Sequence, residues 1–550
     1  MKRARHGIIL LLLCLCTFFV NNGYLNTDIM ESRNIVTARE MVYDGNWLIP
    51  TMNGVTRLQK PPLPTWLAAT VEILSPDNIA AQRCMAATAA AFLVIMLYLI
   101  AFELTSDRKY AMTVTLLICT SYNIILMGRT ATWDIYCHSF MLGAIFFLLK
   151  ALKGGNHSIW PFIISGLFTG LSFMSKGPVS LFSLLLPFII AYLIIYKVSL
   201  KGKWPGILLL IGIALIVGGW WYLYIYLENP GDLLKTVGKE SQNWTNYNTR
   251  PWYYYYGFPL EAGIWVILCL TTLFVGYWRK RLSNPKEYTF ALLWMVLIVI
   301  TLSLLPEKKT RYLLPMLIPA ALAMGHIVRY WTENISEKNG FRRWIYYINT
   351  IPLSIISFAI PVLVYIFLFR DGAPYKSDMT VPAFVAITAF SFALGLFLVI
   401  NSCIKPNPVR FIYGVSVMFS FIILFMMPSI SGIINNPDFN GLGKTREMPE
   451  LTNIQFYHDS GKELRIEQVY DAHRTIRPLD IKDSAAVFNA LPCVILTHGM
   501  ADTLLPANIA DKLDIKYVGH YDGNRRRKGT RFYKETHIWD VTFLRLKHQQ

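Results

Sequence analysis

Three carboxylates and a set of cations stand where this largely apolar chain breaks into polar segments. Asp28 and Glu31 lie three residues apart in the stretch 21–66, NNGYLNTDIMESRNIVTAREMVYDGNWLIPTMNGVTRLQKPPLPTW, and Asp134 closes GRTATWD at 128–134. On a helix, residues three apart share a face, and a carboxylate set beside a hydroxyl can take its proton as a general base. The cations are Arg33, Lys60, Lys176, Lys308, Lys309 and Arg311, with Tyr312 beside the last. Arg grips phosphate bidentately and Lys acts as a point charge, so such a set can neutralise a phosphate leaving in a transfer reaction. An aromatic run, NWTNYNTRPWYYYY at 243–256, supplies Trp244, Tyr247, Trp252 and Tyr253 to Tyr256. Rings of this kind form belts at membrane interfaces and can also flank a sugar or a lipid. Plainer uses stay open for the same residues: a helix N-cap for Asp134, a surface acid for Glu31, and snorkelling lysines.

The elements that must position these groups are membrane helices. The chain is 54% hydrophobic and only 16% charged, where an average soluble protein is nearer a quarter charged. Apolar runs of spanning length or a little less fall at about 8–22, 80–102, 110–127, 134–150, 159–174, 178–196, 206–226, 259–278, 288–305, 312–331, 345–369, 381–402 and 409–428. They give a mainly α, polytopic chain of about thirteen transmembrane helices. The N-terminal MKRARHGIILLLLCLCTFFV resembles a signal peptide but is followed by NNGYLNTD, without a small-residue cleavage site, and is read as a retained first span with a cytoplasmic N-terminus. From about residue 433 the chain turns hydrophilic and alternates β-favouring and polar residues around Gly and Asn turns, as a small α/β domain over 433–550 does.

Alternate loops are basic and otherwise plain, among them ELTSDRK, KALKGGNH (150–157), KVSLKGKW, YWRKRLSNPKE and RYWTENISEKNGFRRW (329–344). The positive-inside rule puts them in the cytoplasm. The first loop (24–79), GRTATWD, MSKGP, 228–258, LPEKKTRY, FRDGAPYKSD (369–378) and the C-terminal domain then lie outside, beyond a transmembrane domain that ends at 432. Lys60, Lys176, Lys308, Lys309 and Arg311 are therefore on the disfavoured side, and an anionic ligand is the plainest cause.

Several function classes drop out. The net charge of +18 is spread over loops and tail rather than along one aromatic-studded helix, which argues against nucleic acid; RRRK at 525–528 reads instead as a solvated turn or a membrane-surface contact. No GxGxxG or Walker pattern, HExxH, CxxC or close His pair occurs, so nucleotide, metal and disulfide-framework readings find no support.

At these residues the chain resembles the GT-C class of membrane glycosyltransferases, in the bacterial branch of the lipid A aminoarabinose transferase and the protein O-mannosyltransferase-like (dolichyl-phosphate-mannose-protein mannosyltransferase) enzymes. The resemblance rests on the first-loop acids, TAREMVYDGNWLIPTMNG, RLQKPPLPTW, GRTATWD, FMSKGP, PWYYY and LLPEKKTRYLLP, in that order over most of the first 330 residues. It implies an inverting transfer of a sugar from polyprenyl (undecaprenyl) phosphate to a hydroxyl or phosphate of lipid A, a glycolipid or protein Ser/Thr. The setting it implies is the outer face of the bacterial inner membrane. Asp28 and Glu31 become the first-loop acids, Asp134 the second acid, and Arg33, Lys60, Lys176 and Tyr312, with Lys308, Lys309 and Arg311 nearby, the donor-phosphate set. No cofactor is required by this chemistry, and the need for a divalent metal is left open. The family's adjacent Asp-Glu pair is split here as Asp28-Ile29-Met30-Glu31, so either acid can be the base, with Asp28 favoured. Gln59 stands where the aminoarabinose enzyme has a glutamate, which removes one possible metal ligand and weakens the case for aminoarabinose or lipid A as substrate. A flippase for lipid-linked substrates and an inactive scaffold are the rival readings.

Overall fold

The structure, a computed structural model, describes residues 2–154, 158–335, 340–375, 377 and 379–547. Parts of the loops expected at 150–157, 329–344 and 369–378 lie outside the described residues. The chain divides into two compact units. One comprises Met1–Asn22, Leu58–Pro64 and Ala80–Ser429; the other comprises Gly23–Arg57, Thr65–Ile79 and Ile430–Gln550.

The first unit is helical. Among the described residues eight helices of the chain are long and apolar enough to cross a membrane, or up to nine if the pair Arg108–Cys119 and Tyr122–Gly128 counts as one span. The thirteen spans expected from hydropathy therefore do not all take the form of one long helix. The pair bends by 70°, where the hydroxyls of Thr120 and Ser121 capture the carbonyls of Leu116 and Leu117 at 2.7 and 2.8 Å and compete with the helix ladder. The run at 259–278 breaks into a 3-10 segment, Trp252–Trp265, and the short helices Val266–Thr271 and Val275–Arg279. Pro259 and the positive φ of Gly263 account for the interruption. Three further runs are short, as Lys2–Cys14 with the π-turn Leu15–Phe19, as Trp160–Lys176, and as Leu181–Leu185 leading into Leu186–Tyr196. A hydropathy window averages over such breaks.

Two helices of this unit approach unusually closely. A methyl group on Gly166 would sit 2.7 Å from the Leu210 carbonyl oxygen, and one on Gly170 would sit 2.6 Å from Cβ of Val217. Small residues give dispersion its reach where lipid removes the hydrophobic drive between helices. Trp160–Lys176 is thereby seated on Trp204–Glu228.

The second unit carries a five-stranded sheet. Its order is Ile476–Leu479, Gln455–Asp459, Cys493–Thr497, Ile538–Leu546, Leu513–Asp522, parallel across the first three strands and antiparallel across the last two pairings. Alternation along the strands sends Phe456, Val494, Leu496, Trp539 and Val541 to one face and Cys493, Ile495 and Leu544 to the other, each face with its own core. Val36, from the helix Ile29–Tyr43 of the first polar stretch, belongs to the first of these cores.

Polar contacts tie the same helix down. Arg39 donates to the Tyr470 carbonyl at 2.7 Å, lies 4.7 Å over the Tyr470 ring, and pairs with Glu72 at 3.6 Å and Asp77 at 3.1 Å. Asp77 in turn meets His473 at 2.6 Å and Arg446 at 2.8 Å. Burial works against ionisation of Asp77, but the His473 hydrogen bond and the charges of His473 and Arg39 outweigh it and hold the carboxyl well below its ordinary range. Burial also lowers His473, against the pull of Asp77.

Both shifts have the same sign in their effect on stability. The unfolded chain takes up protons at His473 near pH 6.5 and at Asp77 near pH 3.8 before the folded chain does, so stability falls as pH drops through each value. Thermal unfolding of the second unit, followed by limited proteolysis between about pH 8 and pH 5, is expected to shift to lower temperature on the acid side. His473→Gln is expected to flatten that dependence; an unchanged slope in the variant would remove His473 from the account.

Candidate functional site

In the second unit, Asp28 is the N-cap of Ile29–Tyr43. Its Oδ1 accepts from the amides of Met30 and Glu31, both at 2.8 Å, and Glu31 Oε2 accepts from the Asp28 amide at 3.2 Å. The two acids thus form a capping box rather than sharing one helix face. Asp28 is exposed, while Glu31 is 1% exposed and is no surface acid. Arg525 fastens the turn before them. It donates to both the carbonyl and the hydroxyl of Thr27, reaches Ser32 Oγ at 3.4 Å, and pairs with Asp471 at 2.8 Å. Arg33 is half-buried, with its guanidinium 3.9 Å from Met30 Sδ.

In the first unit, Asp134 lies in the first turn of Trp133–Lys153, and Thr132, not Asp134, holds the N-cap position. Lys176 ends Trp160–Lys176, where Gly177 takes a positive φ and its amide closes on the Phe173 carbonyl at 2.7 Å. The Lys176 ammonium and the Asp134 carboxylate form a direct ion pair with side chains only 6% and 2% exposed. Arg311 is close enough to act electrostatically on the same carboxylate. One turn further along, His138 places Nδ1 2.9 Å from the Ser180 hydroxyl.

Tyr312 gathers the cations. Lys176 Nζ, Lys309 Nζ and the Arg311 guanidinium carbon lie 5.0, 5.6 and 5.8 Å from its ring centre, and an aromatic face attracts such charges. Glu307 accepts from Lys309 at 2.5 Å and from the Tyr312 hydroxyl at 3.3 Å. The cluster therefore holds Lys176, Lys309 and Arg311 against Asp134 and Glu307, an excess of one positive charge suited to an anion. Lys60 is separately paired with Glu240 at 3.4 Å.

Backbone pairing sets this cluster in place. Amides of Glu307 and Lys308 bond the carbonyls of Trp244 and Asn248, and Arg250 returns a bond to Pro306. Lys309 Nζ consequently also lies 5.1 Å from the Tyr247 ring. Lys308 has a different part: it is 4% exposed and donates to the carbonyls of Arg250, at 3.1 Å, and Leu305. Burial lowers its pKa, and its bonds make it a brace for the loop.

Sequence reasoning passed over Glu307 and Glu240, whose only signal was an acid within LPEKKTRY and one within 228–258. It gave no role to Arg39, which nothing local distinguishes from other surface-type cations, and took Arg525 only as part of RRRK, a solvated turn or membrane-surface contact. Among the described residues no group of three or more His, Cys, Asp or Glu side chains comes together as a metal site.

This arrangement of long and broken helices with a sheet-bearing unit is the GT-C fold, as the motifs implied. The chain superimposes on the crystal structure of ArnT from Cupriavidus metallidurans bound to undecaprenyl phosphate with a TM-score of 0.69, covering 98% of this chain and 97% of that one at 13% identity. Residues 59–222 match the family model described as dolichyl-phosphate-mannose-protein mannosyltransferase. Among relatives, an undecaprenyl phosphate-alpha-4-amino-4-deoxy-L-arabinose arabinosyl transferase of Pseudomonas fluorescens is 27% identical over 314 residues, 54% of each protein. The corresponding enzyme of Pseudomonas savastanoi pv. phaseolicola is 24% identical over 360 residues, 62% of this chain and 63% of its own length. The alignments thus span between half and two thirds of these relatives.

The buried pair makes a direct prediction. Lys176→Met strands a carboxylate that is 2% exposed, and is expected to cost about 3–5 kcal/mol, with Arg311 offsetting part of it. Adding Asp134→Leu should restore most of the melting temperature in detergent. A double variant no more stable than Lys176→Met would show that the pair is not the source of the loss.

Proposed function

We propose that the chain is an inverting glycosyltransferase that moves a sugar from a polyprenyl (undecaprenyl) phosphate donor to an acceptor hydroxyl or phosphate. The single observation that carries this reading is the Tyr312 cluster, a cation-rich anion cradle at the ends of apolar helices in a chain with the ArnT fold. Lys176, Lys309, Arg311 and Lys60 receive the donor phosphate and stabilise it as it leaves, with Arg33 and Tyr312 in the same set and Lys308 as the loop's brace. A first-loop carboxylate removes the acceptor proton. Asp28 is favoured because it is exposed, whereas Glu31 is buried in its capping box. Asp134 holds Lys176 in place. The acceptor is a cell-envelope lipid such as lipid A, a glycolipid, or an exported protein's Ser/Thr.

We also propose that the short and broken apolar segments cross the membrane, which restores about thirteen crossings. The first polar stretch and the tail belong to one compact unit, so an even number of crossings must separate them. Eight long helices, the bent pair, Trp160–Lys176, Leu181–Tyr196 and the broken run ending at Arg279 meet that condition. With the N-terminus in the cytoplasm, the sheet-bearing unit faces outward from the inner membrane. An alkaline phosphatase fusion at the C-terminus is expected to be active; a silent one, with an active fusion at 280, would reverse the topology.

Transfer by the purified protein, with polyprenyl-phosphate sugars as donors and cell-envelope extracts as acceptors, tests the function. Asp28→Asn is expected to lower turnover by about 10²–10⁴-fold, and Arg311→Ala by about 10²–10³-fold. Loss in Glu31→Gln with an active Asp28→Asn would transfer the base to Glu31. Because the cations supply positive charge to the leaving phosphate, transfer is expected to persist in EDTA, and abolition restored by a divalent ion would assign a metal role. Donor translocation without sugar release would favour the flippase, and neither would favour the scaffold.

A further inference from the structure

The tail of the second unit carries a charged loop that the transfer chemistry does not use. Residues 525–535 read RRRKGTRFYKE, six cations against one acid. The loop is closed at its base: the Asn524 side chain accepts from the Lys534 amide at 2.8 Å and donates to the Lys534 carbonyl at 2.9 Å. Inside it, Thr530 bonds the Arg527 carbonyl through its hydroxyl at 2.9 Å, and Gly529 supplies a positive φ for the turn. Arg525 is committed inward to Thr27, Ser32 and Asp471. Arg526, Lys528, Arg531 and Lys534 are exposed, and so is Phe532, at 58%.

The loop's anchors fix where this charge sits. Arg527 donates to the Gly432 carbonyl at 2.6 Å. Asn436 bonds the Arg525 carbonyl through its amide at 3.0 Å and the Asn524 carbonyl through its side chain at 2.8 Å. Gly432 lies in the last turns of the apolar helix Pro408–Ile434. That helix has 27 residues, about 40 Å of rise against a hydrocarbon core of about 30 Å, so chain continuity puts residues 430–436 at headgroup depth. Four outward cations and an exposed ring are thus held by hydrogen bonds at the level where lipid phosphates lie.

We infer that the loop 525–534 is a binding site for the phosphate-bearing headgroup of anionic membrane lipid, with Arg526, Lys528, Arg531 and Lys534 as the phosphate contacts and Phe532 as the interfacial anchor. Its role is to hold the sheet-bearing unit against the bilayer surface. The inference needs only the last helix to end at the membrane, and does not depend on sugar transfer.

The full-length protein in neutral detergent is titrated with a fluorescent phosphatidylglycerol, with phosphatidylcholine as the neutral control. Wild type is expected to bind phosphatidylglycerol in preference, weakening with salt. The variant R526Q/K528Q/R531Q/K534Q is expected to bind it at least about tenfold more weakly, with its melting temperature unchanged. The charge-conserving variant R526K/R531K should keep most of the affinity, which separates lost charge from a disturbed loop. Equal phosphatidylglycerol binding by wild type and the fourfold variant would overturn the site. So would displacement of the lipid by equimolar inorganic phosphate, or tighter binding of a DNA oligonucleotide through the same four residues.

Discussion

Asp134 and Lys176 face each other with almost no access to water, and much of the first unit is arranged around that fact. Neither ion would tolerate such burial alone, because desolvation costs several kcal/mol for each and is recovered only when the partner is held in good geometry. The holding is done at a distance. Gly166 and Gly170 let Trp160–Lys176 settle onto Trp204–Glu228, and Gly177 ends the helix with its terminal lysine opposite the carboxylate. An ion pair of this kind is weak evidence of stability, but it is a rigid point of reference. Tyr312, Arg311 and Lys309 are grouped around the same lysine, so the positive charge is in place before any anion arrives.

The second unit solves a different problem. Its first-loop acids sit at a helix N-terminus, where amides need acceptors, and both are drawn into satisfying them. An acid that caps a helix is oriented by that bond, and Asp28 directs both of its amide bonds to a single oxygen, Oδ1. The turn before it is gripped by Arg525 and the helix behind it by Arg39. Both arginines stack on Tyr470 from the Ile466–Ala472 helix, at 4.7 and 5.2 Å. The tail is therefore part of what holds the first loop's acids, and the C-terminal sheet has a structural reason to be there.

Much of this was legible from residue types. Apolar runs marked the membrane helices, and GRTATWD, FMSKGP and LPEKKTRY marked the segments that bring Asp134, Lys176 and the Lys309–Tyr312 group together. The misses have specific causes. Thr120, Ser121, Pro259 and Gly263 break helices by local hydrogen bonding and backbone geometry, to which an averaged hydropathy is blind. Lys308 and Lys309 are neighbours of identical type, yet one braces a loop through carbonyls and the other joins the cation cluster.

The sequence by itself determined the solvent of this protein, the segments that carry charge, and the class of fold they resemble, because hydropathy and local motifs are properties of short stretches. Only the tertiary structure decided which charges meet. Arg39 with Asp77, Asp77 with His473, Arg525 with Thr27, and Lys60 with Glu240 owe their pairing to proximity in space. Hydrogen bonds need contact within about 3.5 Å and exposed charges are screened beyond about 10 Å, and the chain folds residues from its two ends into a single unit.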